Sequence, residues 1–176
     1  MFMLHGLNPR ESAVLVLGVL ACWYDLRTRR LPNPLTLGGA AVALLHAAYT
    51  AGVGGAVASI SGWVVGLLLF LPFFALGGRG AGDVKLMAAV GAWLGPWAAL
   101  WVALYTSLAG GVLALAVGLV TGYLGQALRN VSFLMTFWQT VGFKPAPDLT
   151  LAGATGPRLP YALAIAAGTA VHLWLG

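Results

Sequence analysis

Two aspartates are the residues of this sequence whose type and setting best suit them to chemistry. Asp25 ends one apolar segment and Asp83 begins another, whereas Glu11 at a helix start and Asp148 in a polar loop have ordinary roles. Two carboxylates held about 3 Å apart cannot both ionise, so they share one proton. The ionised group can take a proton from water while the protonated group hydrogen-bonds a carbonyl under attack. Such a pair can hydrolyse a peptide bond without a metal or a nucleophilic side chain.

Other catalytic and ligand-binding chemistries find little support in the composition. The sequence has one cysteine, Cys22, and three scattered histidines, His5, His46 and His172. A single cysteine excludes an intrachain disulfide framework, and the histidines do not follow a metal-ligand spacing. We therefore expect neither a metal nor a cofactor, and we assign Cys22 to helix packing.

The composition predicts that a lipid bilayer surrounds most of the chain. Hydrophobic residues make up 60% of the sequence and charged residues 7%, against about 25% charged in soluble domains. Mean hydropathy is +0.91. The net charge of +5 does not indicate nucleic-acid binding, because the cations lie between apolar runs, where they act as topology signals.

Apolar runs with helix start and stop signals predict an all-α polytopic membrane protein, a single domain of six transmembrane helices. Asn-Pro pairs at 8–9 and 33–34 start helices, and Gly-Pro at 95–96 divides a stretch too long for one crossing. The predicted spans are residues 9–26, 34–50, 55–76, 83–94, 96–125 and 160–175. A cytoplasmic or interfacial loop, 126–159, precedes the last span, and three of its aromatic residues suit lipid headgroups: Phe133, Phe137 and Trp138.

The cations lie almost entirely on one side of these six crossings. Only Arg10 falls on the other side, and the first, third and fifth connections hold the rest: Arg27, Arg29, Arg30, Arg79, Lys85, Arg129, Lys144 and Arg158. The positive-inside rule makes these connections cytoplasmic and leaves both termini outside. Asp25 and Asp83 are then expected at the same, cytoplasmic face of the membrane.

The residues around Asp83 favour a catalytic role over a structural one. A structural aspartate would pair with a neighbouring cation, as Asp25 could with Arg29. However, Gly80 and Gly82 directly before Asp83 allow another backbone to approach its carboxylate. The helix that Asp83 begins is also only about 18 Å long, against about 30 Å of hydrocarbon. Either the bilayer must thin there or water must enter.

Three segments resemble motifs of the type IV prepilin peptidases, a branch of the GxGD intramembrane aspartyl proteases: residues 25–36 (DLRTRRLPNPLT), 80–86 (GAGDVKL) and 156–162 (GPRLPYA). The resemblance implies that Asp25 and Asp83 are the catalytic pair. It assigns substrate access and motif roles to Gly80, Gly82, Lys85, Arg29, Arg30, Pro32 and Asn33. It further implies a prokaryotic inner-membrane enzyme that cuts a prepilin-like precursor after a glycine, on the cytoplasmic side.

One departure from the family pattern concerns the first connection. Larger members with two activities carry an extra cytoplasmic domain with paired Cys-x-x-Cys motifs, and they also methylate the new N-terminus. Here residues 27–33 form a short connection without cysteines. The chain resembles the short members that serve Flp-type, tight-adherence pili, and we expect cleavage without a known methylation site. Presenilins and signal peptide peptidases share GxGD, but they have a Pro-Ala-Leu motif that this sequence lacks.

Several of these residues also have structural interpretations. Arg27, Arg29 and Arg30 either anchor the first helix at the cytoplasmic side, or they grip the precursor or tune Asp25. Pro32-Asn33 shapes the turn into the second helix, and Lys85 is expected to extend toward headgroups rather than to take part in catalysis. Glycines four residues apart, at 62 and 66, 91 and 95, and 118 and 122, either permit close helix packing or arise by chance among 25 glycines.

Two other classes of function stay open. A small ion- or proton-coupled transporter would use Asp25 and Asp83 as ion or proton sites, although the two halves show no inverted repeat. A structural assembly subunit would tolerate the loss of both aspartates. The expected partners are the precursor and the lipid bilayer, without nucleic acid, and the oligomeric state is open.

Overall fold

The computed structural model describes residues 8–76, 80–142, 144 and 159–175, and within these ranges the chain is helical and has no strand. The all-α prediction is confirmed for this part of the chain. Six helices lie within the described ranges: α1 (Pro9–Thr28), α2 (Asn33–Ala75), α3 (Ala81–Leu94), α4 (Pro96–Val120), α5 (Leu124–Val141) and α6 (Tyr161–Leu175).

The long helix α2 consists of two arms joined at a sharp break. Ala51 (φ −132°) and Gly52 (φ +59°) have non-helical backbone angles, and the positive φ of Gly52 is a conformation that glycine adopts without steric cost. We call residues 33–50 the first arm and residues 53–75 the second arm. Gly55 of the second arm lies against the carbonyl of Ala47 with no room for a Cβ. The arms therefore fold back on each other closely.

Two helices, α2 and α4, are long and apolar enough to cross a membrane, and α6 is a shorter apolar helix. The outward side of α4 is lined by exposed aliphatic side chains, as expected for a surface that faces lipid: Leu104, Leu108, Val112, Leu115 and Leu119. The six crossings remain a prediction.

Helix α3 forms the centre of the bundle. Its 14 residues give a length of about 21 Å, and Val84 and residues 86–92 are all buried. Gly62 and Gly66 of the second arm face Gly91 and Met87 of α3 so closely that no Cβ would fit at any of the three glycines. This set of glycines therefore packs helix against helix, whereas a Cβ at Gly118 would meet only ordinary van der Waals contacts.

The chain differs from the prediction after residue 120. Helix α4 ends at Val120 and not at 125, because Gly122 adopts a positive φ of 68° there. The predicted loop 126–159 is also partly wrong, since it contains most of α5, a helix with no buried residue. Its apolar residues cluster mainly on one side, while Phe133 and Phe137 stack with ring centroids 6.1 Å apart. Headgroup contact by these aromatic rings stays a prediction.

Candidate active site

Asp25 and Asp83 line one cavity of about 370 Å³ at one end of the bundle. Asp25 lies in the last two turns of α1 and Asp83 in the first turn of α3. The two aspartates line the same cavity although they are 58 positions apart in the sequence. The cavity lining consists of Asp25, Arg29, Arg30, Leu31, Asn33, Gly80, Ala81, Gly82, Asp83 and Lys85. Every residue predicted for the site except Pro32 is in this lining.

The carboxylate of Asp25 meets the beginning of α6. The backbone N–H of Ala162 donates a hydrogen bond to Oδ2 of Asp25 at 3.3 Å. This N–H is one of the first four of a helix, which have no partner within the helix, and Asp25 satisfies it. On the other side, Arg29 ends α1 in a left-handed conformation (φ 54°), and its N–H donates to the Asp25 carbonyl at 3.0 Å. Asp25 is thus held between the end of α1 and the start of α6.

The glycines before Asp83 serve different purposes. Gly80 precedes α3 in an extended conformation, and its carbonyl accepts the N–H of Asp83 at 3.2 Å. A Cβ at Gly80 would lie 3.6 Å from Oδ2 of Asp83, an ordinary contact, whereas one at Gly82 would lie 3.0 Å from Cβ of Leu31. The connection between α1 and α2 therefore packs tightly against Gly82 through the side chain of Leu31. The approach of a substrate backbone to the Asp83 carboxylate stays a prediction.

Lys85 bridges two elements at the cavity. Its ammonium donates a hydrogen bond to Oδ1 of Asn33 at 2.8 Å, and contact of Lys85 with lipid headgroups stays a prediction. Pro32 shapes the same region from behind, because its carbonyl accepts the N–H groups of Leu35 (3.1 Å) and Thr36 (3.3 Å) at the start of α2. The bond between Lys85 and Asn33 thus joins the start of α3 to the start of α2.

The three arginines after Asp25 do not share one role. Arg29 and Arg30 line the cavity with exposed side chains. The guanidinium of Arg27 instead lies 5.0 Å from the centre of the Trp23 ring, a cation–π contact on the outer side of α1. The backbone N–H of Arg30 bonds Oγ1 of Thr28 at 3.3 Å. The interpretation of an anchor at the membrane surface suits Arg27, and a role at the site is open to the other two.

The start of α6 contributes to the site through Ala162, which was not predicted as a site residue. Ala162 supplies the N–H to Asp25, and Tyr161 packs against Phe70 of α2 with ring centroids 6.2 Å apart. Tyr161 also covers Gly110 of α4, where a Cβ would lie 2.7 Å from its hydroxyl. The sequence signal for this contact was the motif segment 156–162, whose first three residues lie outside the described ranges. Arg79, Asp148 and His5 also lie outside these ranges.

The cavity combines two carboxylates with three cationic side chains in a space large enough for several waters. A polar cavity of this volume is suited to hold water, and water beside two carboxylates can be activated for hydrolysis by general acid–base chemistry. Within the described residues, no three His, Cys, Asp or Glu side chains are grouped as metal ligands.

The sequence from residue 12 to residue 115 matches the type IV leader peptidase family. The matched region contains Asp25, Asp83 and the rest of the cavity lining, and it ends before α6. No curated protein and no solved structure matches the chain.

Proposed function

Because the chain belongs to the type IV leader peptidase family, we propose that it is an intramembrane aspartic endopeptidase with Asp25 and Asp83 as its catalytic pair. The proposed substrate is a prepilin-like precursor whose leader peptide is removed after a glycine, on the cytoplasmic side. The observation that carries this proposal is the shared cavity, which is lined by both Asp25 and Asp83 from two helices of the matched region.

The proposed mechanism uses one water and one shared proton. The ionised aspartate takes a proton from the water, whose oxygen attacks the carbonyl carbon of the scissile peptide bond. The protonated aspartate hydrogen-bonds the carbonyl oxygen while negative charge develops there. The proton taken from the water then passes to the leaving amine as the C–N bond breaks. The reaction requires no covalent intermediate between enzyme and substrate.

The surroundings of the pair support this chemistry. The hydrogen bond from Ala162 fixes one oxygen of Asp25, which leaves the other oxygen for water. The bond between Lys85 and Asn33 joins the starts of α2 and α3 beside Asp83. A catalytic group that is held in place needs no reorganisation when the reaction begins.

The proposed location is a prokaryotic cytoplasmic membrane, with six crossings, the Asp25–Asp83 cavity at the cytoplasmic side and both termini outside. Support comes from the apolar helices and from the one-sided distribution of cations, two of which, Arg29 and Arg30, line the cavity. The short connection between α1 and α2 supports cleavage without methylation.

The proposal is tested by co-expression with a candidate prepilin and by the size of the precursor on a gel. Asp25→Asn and Asp83→Asn should each lower processing at least about 10²-fold, because each removes a general acid or base. Glu11→Gln is the matched control, since it also neutralises a carboxylate but does so at the opposite end of α1. Equal membrane insertion of the three variants, compared by blotting, excludes an effect of folding.

Processing at the wild-type rate by either Asn variant would contradict the assignment of the pair. The transporter alternative predicts another result in sealed vesicles, namely ion movement that depends on Asp83 in a protein that cleaves no precursor.

A further inference from the structure

A second and larger cavity, of about 580 Å³, lies at the other end of the bundle. It is formed where the start of α1, the end of the first arm, the end of α3, the start of α4 and the end of α6 converge. Arg10, at its edge, lies about 22 Å along α1 from Asp25 at 1.5 Å per residue. This cavity is therefore separate from the candidate active site.

Arg10 is fixed at this cavity by a chain of hydrogen bonds. Its Nη2 donates to Oγ1 of Thr50 at 3.0 Å, and Thr50 Oγ1 donates to the carbonyl of His46 at 2.9 Å. A guanidinium has five N–H donors, and no other hydrogen bond of this guanidinium to the described residues is found. The side chain is held in position and still has N–H donors that a ligand could use.

Two imidazoles add further polar groups to the lining. His46 lies with its ring centroid 5.6 Å from that of Trp93, and its Nδ1 is buried without a hydrogen-bond partner among the described residues. His172 enters the lining from α6. A buried polar atom without a partner costs free energy, so a ligand toward which the His46 ring turns this nitrogen would be favoured.

The single acid at the cavity is already engaged. The two carboxylate oxygens of Glu11 accept hydrogen bonds from the backbone N–H and the side-chain amide of Asn8, at 3.0 and 3.3 Å. Its negative charge therefore serves the beginning of α1. What the cavity offers to a ligand is a guanidinium and imidazole nitrogens, which suit an anion such as a phosphate.

The remaining wall is apolar and comes from Trp93, Leu94, Ala98 and Leu173. A charged side and an apolar side in one cavity match an amphiphile. The break at Gly52 and the turn at Gly95, both with positive φ, lie at this end of the bundle. In a membrane-spanning bundle, helices reverse direction at the level of the lipid headgroups.

We propose that this cavity binds an anionic phospholipid, with the phosphate at Arg10 and His46 and the adjoining acyl chain along Trp93 and Leu173. The inference rests on the proposed membrane location but not on the catalytic pair. Loss of lipid binding and loss of cleavage can therefore be observed separately.

The test is a binding measurement on the full chain in detergent, with phosphatidylglycerol, phosphatidylcholine and inorganic phosphate as probes and native mass spectrometry as the readout. We expect preferential retention of phosphatidylglycerol. Arg10→Gln should weaken it about tenfold, the loss of one charge-assisted hydrogen bond. His46→Phe, which keeps a ring beside Trp93, should also weaken it. Precursor cleavage by both variants should stay at the wild-type rate.

Arg129→Gln is the matched control, because it removes the same charge from exposed helix α5, where Arg129 donates a hydrogen bond to Gln126 of the same helix. Equal loss in Arg10→Gln and Arg129→Gln would reduce the effect to overall charge and overturn the proposal. Inorganic phosphate bound as tightly as the lipid would also overturn it, because the apolar wall would contribute nothing. Thermal unfolding of each variant separates lost binding from lost folding.

Discussion

Substitution of Gly66 by alanine should impair cleavage by moving the helix that carries Asp83. A Cβ at Gly66 would lie 2.5 Å from the carbonyl oxygen of Met87 and 3.0 Å from Cα of Ala88, both in the backbone of α3. Real Cβ atoms essentially never approach other atoms to under 3.0 Å. Helix α3 must therefore retreat from the second arm of α2 by about half an ångström or more.

The expected size of the effect follows from the position of Met87, one helical turn after Asp83. A rigid shift of α3 carries the carboxylate with it, and a misplacement of about 1 Å can cost 10²-fold in rate. We expect a shift of about half that distance to lower the cleavage rate about tenfold. Overpacking costs about 1–3 kcal/mol, while alanine favours a helix by about 1 kcal/mol over glycine. The net loss of stability is then at most about 2 kcal/mol.

The assay compares initial rates of prepilin cleavage in membranes with thermal unfolding in detergent. Gly111→Ala is the control, because Gly111 also lies in a helix but a Cβ there would meet nothing within 4 Å. It should keep the wild-type rate and unfold at the same or a slightly higher temperature. A Gly66→Ala protein with wild-type rate and stability would refute the close packing of α2 on α3.

Two further predictions concern the supports of the site. Lys85→Met and Asn33→Leu should each lower the cleavage rate several-fold. The double variant should be no slower than either single variant, because both substitutions remove the same 2.8 Å hydrogen bond. Additive losses of rate in this double-mutant cycle would contradict a shared role. Gly52→Ala should lower the free energy of unfolding by about 1–3 kcal/mol, because the backbone angles of Gly52 (φ +59°, ψ −145°) are strained for a residue with a Cβ. Gly54→Ala should not lower it, because a Cβ at Gly54 would meet open space. Unfolding in detergent measures both variants.

The sequence was sufficient to predict that the two aspartates lie at the same end of the molecule. Helix boundaries near Asn8, Asn33 and Gly95 follow from local capping and turn chemistry. Once the order of these helices is known, the end of α1 and the start of α3 must meet the same membrane face if each helix crosses. Local rules and counting were enough for this part of the site.

The contacts that hold the site depend on tertiary packing, which no local pattern contains. Lys85 and Asn33 are 52 positions apart, and their bond exists because α3 packs along α2. The packing glycines could not be told from the others by spacing alone, since a Cβ is excluded only where a second backbone lies opposite. Helix α5 was hidden because its polar residues resemble those of a loop when their helical arrangement is not considered.

The bond between Asp25 and Ala162 comes from the main chain, and this determines how the site can vary during evolution. Any residue other than proline carries the same N–H, so the bond constrains the path of the polypeptide at 162 and leaves the choice of side chain to packing. Related proteins could keep this hydrogen bond while they carry different residues at the position that aligns with 162. An alignment of their sequences would then not reveal the interaction.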